Sequence, residues 1–196
     1  MTFFLEGQIV PSELSRISIS LNSKALSACA LNDIFIAHPR PATVSRFLLK
    51  QGILTDKKAF KHNATGFKIF CVHVGRISED DQTCLLLVDR GSRGLRISTA
   101  AGSTAAMLSA GGFAIPILSR DLQYIVREPI SPGGTNSSLM RGLIKSDQST
   151  DAAWFSKEGF IHFDGSHVFY HIQGGDAIEI SSKAPVLQVV VPHLSS

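Results

Sequence analysis

The chain has 196 residues, 44% of them hydrophobic, and a formal charge of +3 at neutral pH, which suits a sizeable buried core and excludes a disordered polymer. Lysines and arginines are scattered rather than massed, and no uninterrupted apolar run reaches membrane-spanning length, so neither a nucleic-acid partner nor a membrane is expected. The three cysteines, Cys29, Cys71 and Cys84, form no CxxC pair, which argues against a disulfide framework or a cysteine zinc site and for a reducing compartment.

The first segment, Met-Thr-Phe-Phe-Leu, meets Glu6 too soon to be a signal-peptide core, and the final Pro192 to Ser196 lacks a Ser-Lys-Leu type of peroxisomal address. A cytoplasmic location is expected, with a peroxisome or plastid left open. Arg16 to Leu21 alternates polar and apolar residues, and Ala30 to Ala37 is an apolar run; both read as strands. Asn22-Ser23-Lys24 is turn chemistry, so the expected connection is a hairpin with Asn32 and Asp33 on its second strand. On residue type alone, Asn32 satisfies a sheet edge and Asp33 is solvated.

Val44 to Leu49 begins another strand. Lys50 to Thr83 is harder to place, with a basic patch at Lys57, Lys58, Lys61 and His62, an alternating Phe67 to Val74, and acidic Glu79 to Asp81. Next comes Gly94 to Gly112, crowded with small and hydroxyl side chains. Leu95 to Thr99 alternates like a strand and Ala100 to Ala110 is Ala-rich enough for a helix, so Gly102-Ser103-Thr104 falls at the junction. Such a junction presents amide N–H groups and a positive helix end suited to a ribose or phosphate oxygen. A packed turn with a Ser cap accounts for the same composition.

Beyond it, Ala114 to Leu118 is apolar around Pro116, and Pro129 to Gly134 is a loop. Phe160 to Phe163, the Asp164-Gly165 hairpin signal, His167 to Ile172, Ala177 to Ile180 and Val186 to Val191 then follow as short strands. Many short strands and one helix predict a mainly β fold, a β-sandwich in one domain with an insertion or irregular loop at 50–83. His162, Asp164, His167 and His171 raise a zinc site as an alternative, but lack any standard ligand spacing. Ser103 lacks the flanking glycines of a nucleophile elbow, which argues against a hydrolase.

The Gly94 to Gly112 stretch resembles the GLxxSTPxGSTAY segment of NAD kinases, which transfer phosphate from ATP to the 2′-hydroxyl of the NAD adenosine ribose. Ala30-Leu31-Asn32-Asp33 is similar to that family's Asn-Glu dinucleotide-binding motif, with Asp in place of Glu. Ser119 to Tyr124 and Val126 to Pro132 resemble the plant-type branch that phosphorylates NADH. The resemblance covers residues 8–49 and 85–191 and corresponds to the family's C-terminal β-sandwich, with its single helix after the GSTA motif. It implies that Asn32, Asp33, Ser103, Thr104, Ala105 and Ser109 contact NADH or NAD. It implies ATP with Mg2+ as phosphoryl donor, used only beside an N-terminal domain, and a homo-oligomer in which a neighbouring sandwich closes the dinucleotide site.

The family's catalytic GGDG motif is absent, as are GxGxxG and GxxxxGK[ST]. This chain is therefore expected to supply the dinucleotide-binding half, to be inactive alone and to contain no catalytic or metal-binding residue; a non-catalytic dinucleotide- or partner-binding module is the alternative. Phe4 to Val10 resembles the strand that follows the family's N-terminal domain, which makes Met1 an internal start. Since that family crosses the 50–83 region with a short strand-turn-strand, an inserted loop or a misread exon boundary is expected there. Three departures stand out: Arg93 for an Asp, Ala106 for the motif's terminal Tyr, and Ser166 for a Gln. The first two favour NADH, by removing a stacking ring and reversing a charge.

Overall fold

The computed structural model describes residues 11–40, 42–51, 84–130 and 140–190. The expectations for 52–83, for the N-terminal segment before residue 11, for most of the 129–134 loop and for the final residues lie outside them. Fourteen strands are described. They are β1 (Ser12–Leu14), β2 (Ile17–Leu21), β3 (Lys24–Ala30), β4 (Asp33–Ala37), β5 (Ser45–Gln51), β6 (Cys84–Ser92), β7 (Gly94–Ser98), β8 (Leu122–Arg127), β9 (Arg141–Ile144), β10 (Ser149–Trp154), β11 (Glu158–Phe163), β12 (Val168–Gln173), β13 (Ala177–Ser181) and β14 (Leu187–Val189). A 3-10 turn (Ala101–Thr104) and one helix, α1 (Ala106–Ser109), follow β7. None of the described helices is long and apolar enough to cross a membrane.

Two six-stranded sheets carry the fold, in the orders β3-β2-β13-β10-β5-β6 and β12-β11-β4-β7-β8-β9, with β1 and β14 as a separate pair. All recorded pairings are antiparallel. Period-two alternation places Ile17 and Ile19, Ile34 and Ile36, Leu95 and Ile97, and Ile178 and Ile180 in one buried cluster between the sheets. Trp154 is fully buried there, its ring stacked on Phe47 at 6.4 Å between centroids. A Cβ at Gly159 would fall 2.5 Å from the same indole, so only the absence of a side chain lets β11 pass it. The expected mainly β sandwich is what the described residues form.

The local expectations need three corrections. Asn22 and Ser23 do make a two-residue turn, with φ of 50° and 66°, as type I′ hairpins require. Its second strand is β3, however, while the apolar run from Asp33 to Ala37 lies in the other sheet as β4. The Asp164 turn spans four residues rather than two, because Phe163 pairs with Val168. The helix expected over Ala100 to Ala110 is broken at Ala105, whose φ of −110° and ψ of −112° are not helical. Ala propensity alone cannot hold so short a helix together against tertiary demands.

Candidate functional site

The chain crosses from one sheet to the other at Leu31 and Asn32, and this corner is built from backbone. The amides of Leu31, Asn32 and Asp33 donate to the Asp164 carboxylate at 2.7, 2.7 and 3.0 Å, and the Asp164 amide donates back to the Asp33 carbonyl at 2.9 Å. Asp164 adopts a left-handed φ of 48°, a conformation that Asp tolerates better than most residues. Asp164 thus does more than form a turn; it holds the Asn32 corner through charge-assisted hydrogen bonds. The Asp-Gly hairpin signal concealed that role, which no spacing in the sequence reveals.

The small-residue stretch closes on the same corner. The Thr99 amide donates to the Asn32 carbonyl at 2.9 Å, and the Thr99 hydroxyl donates to the Leu31 carbonyl at 2.5 Å. A Cβ at Gly102 would fall 2.2 Å from the Asn32 carbonyl oxygen, so glycine is needed for contact between the two backbones. Asn32 and the Gly102-Ser103-Thr104 turn are direct neighbours.

The residues differ in what they offer a ligand. Ser103 is wholly buried; its hydroxyl donates to the Ala100 carbonyl at 2.8 Å and accepts from the Ile115 amide at 3.0 Å. This is the packed-turn role, and it consumes the hydroxyl internally. Asn32, Thr104, Ala105 and Ser109 are exposed around the turn. Asp33 is largely buried and ion-paired with Arg96. Because α1 is a single turn, the positive helix end expected behind the junction is replaced by local backbone.

The far end of the same sheet is different. Arg96, Phe35, His162 and Phe169 are aligned across β7, β4, β11 and β12. The Arg96 guanidinium lies 5.0 Å from the Phe35 ring centroid, and burial lowers the His162 pKa. Rather than converging on an ion, His162 and His171 pack against Phe160 at 5.9 and 5.3 Å between centroids. Among the described residues no group of three or more His, Cys, Asp or Glu is placed to hold a metal.

No protein-family model matches the chain. It is 45% identical over 189 residues to a probable NADH kinase of Oryza sativa, and 50% identical over 189 residues to an NADH kinase of Arabidopsis thaliana. These alignments cover 96% of this chain and 50% and 51% of the two plant proteins. The chain is a relative of the NAD and NADH kinases. This kinase relative spans about half the length of the plant proteins it matches.

Solved structures agree on the fold. The yeast NADH kinase complexed with NADH superimposes with a TM-score of 0.63 at 15% identity, covering 93% of this chain and 44% of the yeast chain. The Archaeoglobus fulgidus NAD kinase in complex with ATP gives 0.57 at 16% identity, covering 92% of this chain and 56% of its own. Of the departures in the kinase relative, Arg93 lies in the turn between β6 and β7 and pairs with Glu128 at 2.6 Å. Ala106 opens α1 and is exposed, and Ser166 is exposed in the turn after Asp164.

Proposed function

We propose that this chain is the dinucleotide-gripping half of an NAD(H) kinase. It binds NADH or NAD at the corner formed by Asn32 and the Gly102 turn, for phosphorylation of the adenosine ribose 2′-hydroxyl by ATP with Mg2+. The observation that supports this reading is the contact at Gly102, which sets the backbone of exposed Asn32 against the turn that carries exposed Thr104. Asn32, Thr104 and Ser109 supply hydrogen-bonding side chains, Ala105 supplies a small surface for a ring or ribose, and Ser103 holds the turn from within. Asp33 acts together with Arg96, as a paired group rather than a lone carboxylate.

Phosphoryl transfer needs an aligned hydroxyl and a clamped polyphosphate with its metal. The chain lacks the GGDG motif for that work, so in this proposal it binds without turning over. Ala106 beside the Gly102 turn favours the reduced dinucleotide, whereas Arg93, paired with Glu128 in the β6–β7 turn, lies away from the Asn32 corner of the same chain; a second copy contributes to closing the site. Calorimetric titration of the chain with NADH, beside an assay for NADPH formation with ATP and Mg2+, tests the reading. Saturable binding without NADPH is expected; a folded chain that binds neither NADH nor NAD overturns the binding role, and NADPH formation overturns the predicted inactivity. Sedimentation at several concentrations tests self-association, and a monomer throughout would refute it.

A further inference from the structure

Along β4 the polypeptide runs from the Asn32 corner to His38, six residues or about 20 Å at the rise of an extended strand. At that end a cavity of about 400 Å³ opens on the outward face of the β12-β11-β4-β7-β8-β9 sheet. Four guanidinium-bearing residues line it: Arg40 after β4, Arg93 before β7, Arg96 on β7 and Arg127 at the end of β8. Glu128 is the acidic residue in the lining and pairs with Arg93 and Arg127. Asp33 neutralises Arg96 from outside it. Glu158 stands 3.5 Å from the lining residue His38, so among the described residues three carboxylates face four guanidiniums, a surplus of one positive charge.

Two further observations point the same way. Arg96 Nε and His162 Nδ1 are buried polar atoms without a hydrogen-bond partner, and both belong to residues lining this cavity. Buried nitrogen atoms left in that state carry a desolvation cost that a ligand or water can relieve. Glu128 holds a left-handed φ of 43°, a strained conformation for Glu. It places the carboxylate between two arginines while the Arg93 amide donates to the Arg127 carbonyl at 2.8 Å. The pocket is thus a concave, cationic site with Phe35 and His162 in its lining.

We infer that this pocket is a second binding site, for a diphosphate-bearing anion, distinct from the Asn32 corner and joined to it through the Asp33–Arg96 pair. Planar guanidinium forks match the oxygens of a phosphate group, and a diphosphate supplies the negative charges to answer the surplus. The diphosphate could be free or carried by a nucleoside whose ring lies on Phe35; both share the chemistry of the arginine end. The site does not depend on the dinucleotide reading.

The test is a titration of the whole 196-residue chain with inorganic pyrophosphate at fixed ionic strength, followed by calorimetry and by amide chemical shifts. Saturable one-to-one binding is expected, with shifts at Arg40, Arg93 and Arg127. Arg40→Gln and Arg127→Gln should each weaken it tenfold or more, and Asn32→Ala should leave it unchanged. Tighter binding of ADP, lost in Phe35→Leu, places a nucleoside on Phe35; equal binding of ADP and pyrophosphate assigns the site to the diphosphate alone. The inference fails if folded wild-type chain shows no saturable binding, or if both arginine variants bind as well as wild type. Loss of pyrophosphate binding in Asn32→Ala would also overturn it, by placing the anion at the other corner.

Discussion

One sheet carries two ends that use their polar groups in opposite ways. At the Asn32 end the groups are spent internally: Asp164 takes three amides, Ser103 uses its hydroxyl on the chain itself, and Thr99 binds backbone. At the arginine end, Arg96 and His162 keep buried nitrogens unanswered and positive charge exceeds negative. The first end has rigid backbone and exposed side chains around it; the second has unmet polar capacity. A site can be preorganised by satisfying its scaffold, or left incomplete until a ligand arrives.

The strongest way to break the first end is Gly102→Ala, since the added methyl would meet the Asn32 carbonyl at 2.2 Å. Overpacking against backbone should cost about 3 kcal/mol, read as a large fall in the denaturation midpoint. Asp164→Ala follows, because three amides lose a charged acceptor; a loss of about 2–3 kcal/mol is expected. Both variants should also weaken NADH, whereas pyrophosphate binding by the remaining folded molecules should persist. If Asp164→Ala unfolds at the wild-type midpoint, the carboxylate is not what organises the corner.

Ser103→Ala sharpens the distinction between scaffold and contact. Removing a buried hydroxyl that accepts from Ile115 should destabilise by about 1–2 kcal/mol, whereas an unchanged melt would show that the residue is not structural. Asn32→Ala should do the reverse: its side chain is exposed, so stability should hold within about 0.5 kcal/mol. NADH affinity should fall about tenfold, the equivalent of one ligand hydrogen bond. Unchanged NADH affinity would remove Asn32 from the site.

The smallest expected effect belongs to His162. Burial keeps its folded pKa below the ordinary value of about 6.5, so the unfolded chain binds a proton first as the solution is acidified. Stability should therefore be full above pH 6.5, decline below it, and stop declining on this account once the pH passes the folded value. A shallower acid slope in His162→Phe is the expected signature, measured by urea titrations between pH 5 and 7.5. Identical slopes would assign the pH dependence elsewhere.

Much of this was legible in the sequence because alternation is a local signal. Ile17-Ser18-Ile19-Ser20-Leu21 and Phe160 to Phe163 read as strands on their own and form β2 and most of β11. The pairing of Asn32 with the Gly102 turn came through resemblance, and the structure brings the two together. Alternation does not single out β3 as the partner of β2, because β3 is largely exposed, whereas Ala30 to Ala37 carries the stronger apolar signal and its strand lies in the other sheet. The role of Asp164 and the gathering of Arg40, Arg93, Arg96 and Arg127 were invisible for a different reason: both arise when segments distant in the chain meet. The non-helical backbone at exposed Ala105 is likewise absent from the propensity of an Ala-rich stretch.

The stack of Trp154 on Phe47 has a practical consequence. It is the chain's sole tryptophan, and it lies fully buried between the sheets. Its fluorescence should be blue-shifted in the native state and move to longer wavelength when the layers part, an intrinsic optical probe that needs no dye. Excitation at the red edge of the spectrum would separate it from the two tyrosines, and since neither proposed ligand site includes the indole, a change in its emission would report unfolding rather than occupancy.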